Sequence, residues 1–116
     1  MAINRVFAQI VVKDLTSAVA WYEQLFGRPA DSMPMDGLAE WHIVEGGSIQ
    51  VFQDQDRAGS SWVTLEVTDL DAHLTALKTQ GIAVGPVTKA NYVTIAIVTD
   101  PDGNHLTFAQ PLPQKS

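Results

Sequence analysis

Between residues 6 and 12 every second position is apolar: Ala8, Ile10 and Val12 alternate with the mixed set Phe7, Gln9 and Val11. That is the period-two pattern of a strand with one face in a core. The phrase returns fifty-five places later, where FAQIVVKDL (7–15) is echoed by WVTLEVTDL (62–70). There Val63, Leu65 and Val67 are the apolar set, and Trp62, Thr64 and Glu66 take the places of Phe7, Gln9 and Val11. Each copy leads to an aspartate in the N-cap position, Asp14 or Asp69, whose carboxylate can accept from the free amides of a first helical turn. Ala18, Trp21, Tyr22, Leu25 and Phe26 then follow at helical spacing, and Gly27 with Pro29 predicts the stop. Leu70, His73, Leu74 and Leu77 predict a second helix ending at Gly81.

Downstream of the first helix, residues 30–38 read as a loop. AEWHIVEGGSIQVFQ predicts a hairpin turning on Gly46 and Gly47. Downstream of the second, NYVTIAIVT and NHLTFAQ flank DPDG, with Pro101 suited to the second position of a type I turn and Gly103 to the left-handed residue after it. The polar stretch QDQDRAGSS reads as a linker. Each half is strand, helix, further strands, and two units are too few for a solenoid. The expectation is a single domain, 1–116, of the α+β class. Module one spans 4–53, a linker 54–61, module two 62–111 and a short tail 112–116, the modules being related by a pseudo-twofold axis.

Composition narrows the picture. The chain has 116 residues, 46% of them hydrophobic, which suits one globular domain and leaves the two halves to share a core. Without cysteine there is no disulfide and no thiolate chemistry, and with three histidines a metal site would have to lean on carboxylates. A net charge of −6 with seven Lys and Arg argues against a nucleic-acid partner and would steer a cationic ligand. No apolar run approaches the roughly 20 residues of a membrane span. The start MAINRVF lacks the features of a signal peptide, so a cytoplasmic location is expected.

The motif set V-x-D-L before a helix with WY and LFG, then VTDLDAHLTALKTQG, then DPDGNHLTF, resembles the vicinal oxygen chelate superfamily of glyoxalases, extradiol dioxygenases, fosfomycin-modifying enzymes and bleomycin resistance proteins. The resemblance covers nearly the whole chain. It implies paired βαβββ modules whose strands curl into an open, barrel-like trough with the helices outside, and it implies a homodimer. It also implies four trough-facing positions that hold His, Glu or Gln in metal-dependent members. Carried onto this sequence, these fall on Phe7, Gln50, Trp62 and Thr107. Two rings, a neutral amide and a hydroxyl do not make a divalent-ion site, and a slip of one residue does not supply one. The expectation is therefore no metal and no cofactor.

What remains is a pocket for a small molecule, aromatic or cationic. Gln9, Phe52, Thr64, Glu66 and His105 continue the trough face by alternation, and Trp41 and Tyr92 are neighbours whose face the pattern does not fix. Rings would supply contact area and polar tips orientation. Sequestration needs only affinity, whereas an enzyme needs placed acids, bases or a Lewis acid. The alternative is a glyoxalase- or isomerase-like enzyme using Glu66, His105 or a metal at a mis-registered site. A third reading has Phe7 and Trp62 plugging the sheet as core. His42 and His73 are read as structural, and Asp54 and Asp56 as linker solubility. Trp21, Tyr22, Phe26, Met33 and Met35 give apolar bulk for a dimer contact.

Overall fold

The computed structural model describes residues 2–113; part of the expected tail, 114–116, lies outside the described residues. The element order is β1 (Val6–Val12), α1 (Leu15–Phe26), β2 (Ser32–Met35), β3 (Leu38–Val44), β4 (Gly47–Gln53), β5 (Trp62–Glu66), α2 (Leu70–Thr79), β6 (Thr88–Lys89), β7 (Val93–Thr99) and β8 (His105–Pro111). Module one folds its strands in the order β1-β4-β3-β2 and module two in the order β5-β8-β7-β6. In each, the first strand pairs parallel with the last and the remaining pairs are antiparallel. These are two βαβββ units forming two four-stranded mixed sheets, with no closed barrel.

The local signals act as expected. Asp14 accepts from Ser17 N at 2.9 Å and Asp69 from Ala72 N at 3.1 Å, capping both helices. Gly27 ends α1 in the left-handed region at φ 71°. The Asp100–Asn104 turn closes with Gly103 N donating to Asp100 O, Gly103 lying at φ 99°. Two short strands departed from expectation. Residues 32–35 form edge strand β2 inside the anticipated loop, and Thr88–Lys89 form β6. The first has only the exposed pair Met33 and Met35 in alternation and the second is two residues long, because a short edge strand has little to bury.

The halves share one core. Ile10, Val12, Tyr22, Trp41 and Val51 from module one join Leu70, Leu77, Val98, Leu106 and Phe108 from module two in a single buried cluster. The seam is polar and saturated. Tyr22 Oη donates to Asp100 Oδ2 at 2.7 Å, and Asn104 Nδ2 donates both to that oxygen and to Val11 O. Ser61 closes the circuit, its backbone N–H donating to Asn104 Oδ1 and its hydroxyl accepting from Val11 N. Buried polar groups are tolerable only when so satisfied. The turn of module two is thus bolted onto β1 and α1 of module one.

Candidate functional site

Parallel pairing places Phe7 beside Ser48, Gln9 beside Gln50 and Val11 beside Phe52, and the antiparallel hairpin sets Glu40 opposite Gln50 and His42 opposite Ser48. Side chains paired this way share a face. In module two, Trp62 lies beside His105, Thr64 beside Thr107 and Glu66 beside Ala109, with Thr99 and Ile97 continuing from β7. The expected residues therefore group as two sets: Phe7, Gln9, Gln50 and Phe52 on one inner face, Trp62, Thr64, His105 and Thr107 on the other. The two large rings sit on edge strands, Phe7 at 40% and Trp62 at 62% of full exposure.

Two expected neighbours do not belong. Trp41 is fully buried on the opposite face of β3, where it packs on Tyr22 and Phe26 beneath α1 and donates its indole N–H to Arg28 O at 3.0 Å. Its pairing with Ile49, a core residue, fixes that side. Tyr92 stands one residue ahead of β7, 78% exposed. The β7–β8 register puts that end of the sheet at Pro111, six residues along β8 from the partner of Trp62, or roughly 20 Å. Glu66 and His105 are likewise separated. Glu66 pairs with Ala109, four residues and roughly 13 Å from His105, so the two do not converge on one atom.

On module one the inner face carries a directed chain of hydrogen bonds. Gln9 Nε2 donates to Gln50 Oε1 at 2.9 Å, and Gln50 Nε2 donates to Glu40 Oε2 at 2.7 Å. Ser32 Oγ at 3.3 Å and His42 Nε2 at 3.4 Å approach Glu40 Oε1. The Gln50 amide holds the Glu40 carboxyl below its ordinary range; near-burial opposes this, and His42 and Ser32 assist it. Sequence reasoning missed Glu40. A regular ladder from the Glu45–Gly46 turn would set Trp41 opposite Gln50; the bulge between His42 and Val44 shifts the register by one and brings Glu40 there instead.

Module two does something else with the same positions. Trp62 Nε1 donates to Thr107 Oγ1 at 2.8 Å, and its ring leans on the His105 imidazole with centroids 4.5 Å apart. His105 Nδ1 lies 3.1 Å from Thr99 Oγ1. The indole is thereby clamped as a platform over the sheet, one face still open. A ring here can also take a cation, as the Arg5 guanidinium does 5.6 Å from the centroid of Phe7.

The residues at the four metal-bearing positions do not fit an ion. Phe7 has no donor atom and the indole nitrogen of Trp62 carries a proton rather than a lone pair. Gln50 is engaged at both ends of its amide, and Thr107 already accepts from Trp62. Among the described residues, no three of His, Cys, Asp and Glu gather as a metal-holding group.

An apolar cavity of about 420 Å³ opens between the two edge strands, lined by Ala8, Ile43, Ile49, Val63 and Leu65 with Ser48, Thr64 and Glu66 as polar members. Its volume is in the range of small-molecule pockets. Thr64 and Glu66 were anticipated as trough-facing; its apolar walls were not, because they are core-side positions exposed only where β1 and β5 run unpaired. A larger depression at Trp21, Gln24, Arg28 and Pro101 is an open groove outside α1, remote from both inner faces. Of the residues expected to feed a dimer contact, Tyr22 is buried and Trp21 and Phe26 pack on the core, while Met33 and Met35 remain exposed.

Comparison with known proteins places this arrangement. The chain superposes on a glyoxalase/bleomycin resistance protein from Catenulispora acidiphila with a TM-score of 0.87 at 32% identity, over 95% of this chain and 99% of that one. An antibiotic-binding protein from a Streptomyces species shares the fold at TM-score 0.80 and 24% identity, covering 97% and 99% of the two chains. So does a bleomycin-binding protein solved with bleomycin, at TM-score 0.77 and 20% identity over 92% and 98%. No curated protein matches the sequence. No helix among the described residues is long and apolar enough to cross a membrane. Residues 2–108 match the Glyoxalase/Bleomycin resistance protein/Dioxygenase superfamily, which holds both enzymes and binding proteins, and with the paired βαβββ sheets this makes the chain a member of that superfamily.

Proposed function

We propose that the protein binds a small aromatic or cationic molecule without a metal, as a cytoplasmic sequestering protein and as a homodimer. The observation that carries this is the state of the inner-face side chains. Where metal-dependent members would present free donors, this chain presents rings and polar tips bonded to one another, Gln9 to Gln50 to Glu40 and Trp62 to Thr107. Such a face supplies contact area and orientation, which is what binding requires. It lacks the convergent acid, base or Lewis acid that turnover requires. The relatives described as antibiotic-binding and bleomycin-binding agree in kind. Exposed Val6, Phe7 and Trp62 along the open edges, with Val44 at the nearby end of β3, give a second copy an apolar surface to cover.

Titrating bleomycin and a set of aromatic amines while recording tryptophan emission tests the reading, with Trp62→Phe separating Trp62 from Trp21 and Trp41. A saturable change in the parent that the variant lacks is expected. Metal analysis of protein purified without chelator should find no stoichiometric Zn, Ni, Mn or Fe. A tightly held divalent ion, or an unresponsive Trp62 across the whole set, would overturn the proposal.

A further inference from the structure

Glu40 is a carboxylate at 8% exposure, and among the described residues no Lys or Arg pairs with it. The ion pairs among the described residues are Arg28–Asp31, Arg57–Asp54 and His42–Glu40, the last only with a protonated ring. A buried charge ordinarily has a counter-ion, because stripping it of water is costly. Glu40 is held by neutral donors instead, chiefly Gln50. A carboxylate accepts at about four lone-pair sites and, when ionised, donates nothing. That fixes every group behind it. Gln50 can turn only N–H toward the carboxylate, so its Oε1 must face Gln9. Gln9 then turns Nε2 to Gln50 and presents its own Oε1 outward. The order follows from the charge at the head of the chain, so it does not depend on which amide atom is labelled oxygen.

The free acceptors along this chain are Gln9 Oε1, a second lone pair on Gln50 Oε1 and the remaining site of Glu40, with a full negative charge behind them, while each amide keeps one spare N–H. The equivalent positions of module two, by the ladders, are Thr64, Thr107 and Ile97, which carry no charge. The protein as a whole adds a field of the same sign, with a net charge of −6. On either side of this strip stand the rings of Phe7 and Phe52, one row before it and one row after.

We infer that the inner face of module one is a polarised acceptor array that selects a guest carrying an ammonium or similar N–H-rich cation and refuses carboxylates and phosphates. The cation is received along Gln9, Gln50 and Glu40, and the guest's apolar body lies against the flanking rings. This rests on the reading that the inner face holds a small molecule, and it narrows the guest to one charge class.

Three near-isosteric probes separate the two statements: naphthylmethylamine, naphthylacetate and ethylnaphthalene, titrated at neutral pH into isotope-labelled protein while the Gln side-chain amide resonances are followed. The amine is expected to bind at least about tenfold more tightly than the acetate and to move the Gln9 and Gln50 amides. Glu40→Gln, which keeps an acceptor but removes the charge, should erase about tenfold of that preference, the scale of one charge-assisted hydrogen bond. Glu45→Gln, the same charge change in an exposed turn, should leave it intact. Gln9→Leu should weaken the amine alone and leaves the Glu40–Gln50 bond in place, so it serves as a second test should the first variant fold poorly. Equal binding of amine and acetate, or an undiminished preference in Glu40→Gln, overturns the inference while leaving small-molecule binding standing. Failure of all three probes to bind overturns both.

Discussion

The inner faces of the two modules have the same ladder and opposite chemistry. Phe7 corresponds to Trp62, Gln9 to Thr64, Gln50 to Thr107, Glu40 to Ile97 and His42 to Thr99. In module one those places form a charged, hydrogen-bonded strip; in module two they form an indole clamped to a hydroxyl and resting on an imidazole. The outer faces show no such divergence, both being apolar and buried. Register is enforced wherever one face must be buried, because a one-residue slip would turn the whole core set outward. The inner face carries no such duty, so its residues can differ between repeats without cost to the fold.

The contrast between faces is broken most directly through two tryptophans. Trp41→Ala should cost about 3–5 kcal/mol in urea unfolding, the range for emptying a core site of that size. Trp62→Ala should cost about 1 kcal/mol or less, since the ring is more than half exposed. If Trp62→Ala is as damaging as Trp41→Ala, the ring is a plug in the sheet and the inner face of module two is core. Next in size is the seam. Asn104→Ala strands Val11 O and Ser61 N together, and a loss of about 2 kcal/mol is expected from unpaired buried groups. The hairpin turn of module one, Glu45 and Gly46, makes no comparable bridge of side chains into module two, so Glu45→Ala should be close to neutral.

The sequence carried more about scaffold than about site, for a physical reason. Ala8–Ile10–Val12 and Val63–Leu65 repeat because burial selects them, and Asp14, Asp69, Gly27 and Gly103 stand where backbone geometry demands those side chains. From them the two-module fold was legible. The inner-face grouping of Phe7 with Gln9 and Gln50, and of Trp62 with Thr64, His105 and Thr107, was legible by parity alone. Trp41 was not, because regular hairpin register would set it opposite Gln50 on the inner face; only the bulge between His42 and Val44, which pairs Trp41 with Ile49, turns it to the core. The cavity walls were hidden for a different reason. Ala8 and Leu65 have the pattern of core residues, and only the unpaired edges of β1 and β5 expose them.

A titration sharpens the role of the seam that joins the halves. Burial first, then the Asp100 carboxylate, push the Tyr22 phenol far above its ordinary value. The folded state therefore keeps this proton at a pH where the unfolded chain gives it up. The contribution is complete below the unfolded value of about 10 and is lost as pH rises past it. In a Tyr92→Phe background, where Tyr22 is the only phenol, phenolate absorbance should appear together with alkaline unfolding and not before it. Ionisation in a still-folded chain would mean that the Tyr22–Asp100 contact is open to solvent.

The smallest effect distinguishes the two inner faces most finely. Glu40 has its carboxyl held below its ordinary value of 4.5, chiefly by the Gln50 amide, so the native state favours the charged form. A depressed value contributes stability that is present above the unfolded carboxyl range and disappears as pH falls through the folded value. The urea midpoint of Glu40→Gln should thus lie slightly below that of the parent at neutral pH, and the gap should close as the pH is lowered below about 4. The corresponding substitution in module two, Ile97→Val, alters only packing, and its gap from the parent should stay constant over the same range. If the Glu40 gap is also constant, the carboxylate is not held by Gln50 in the folded chain. The head of the amide chain would then carry no fixed charge, and the two inner faces would differ in shape rather than in sign.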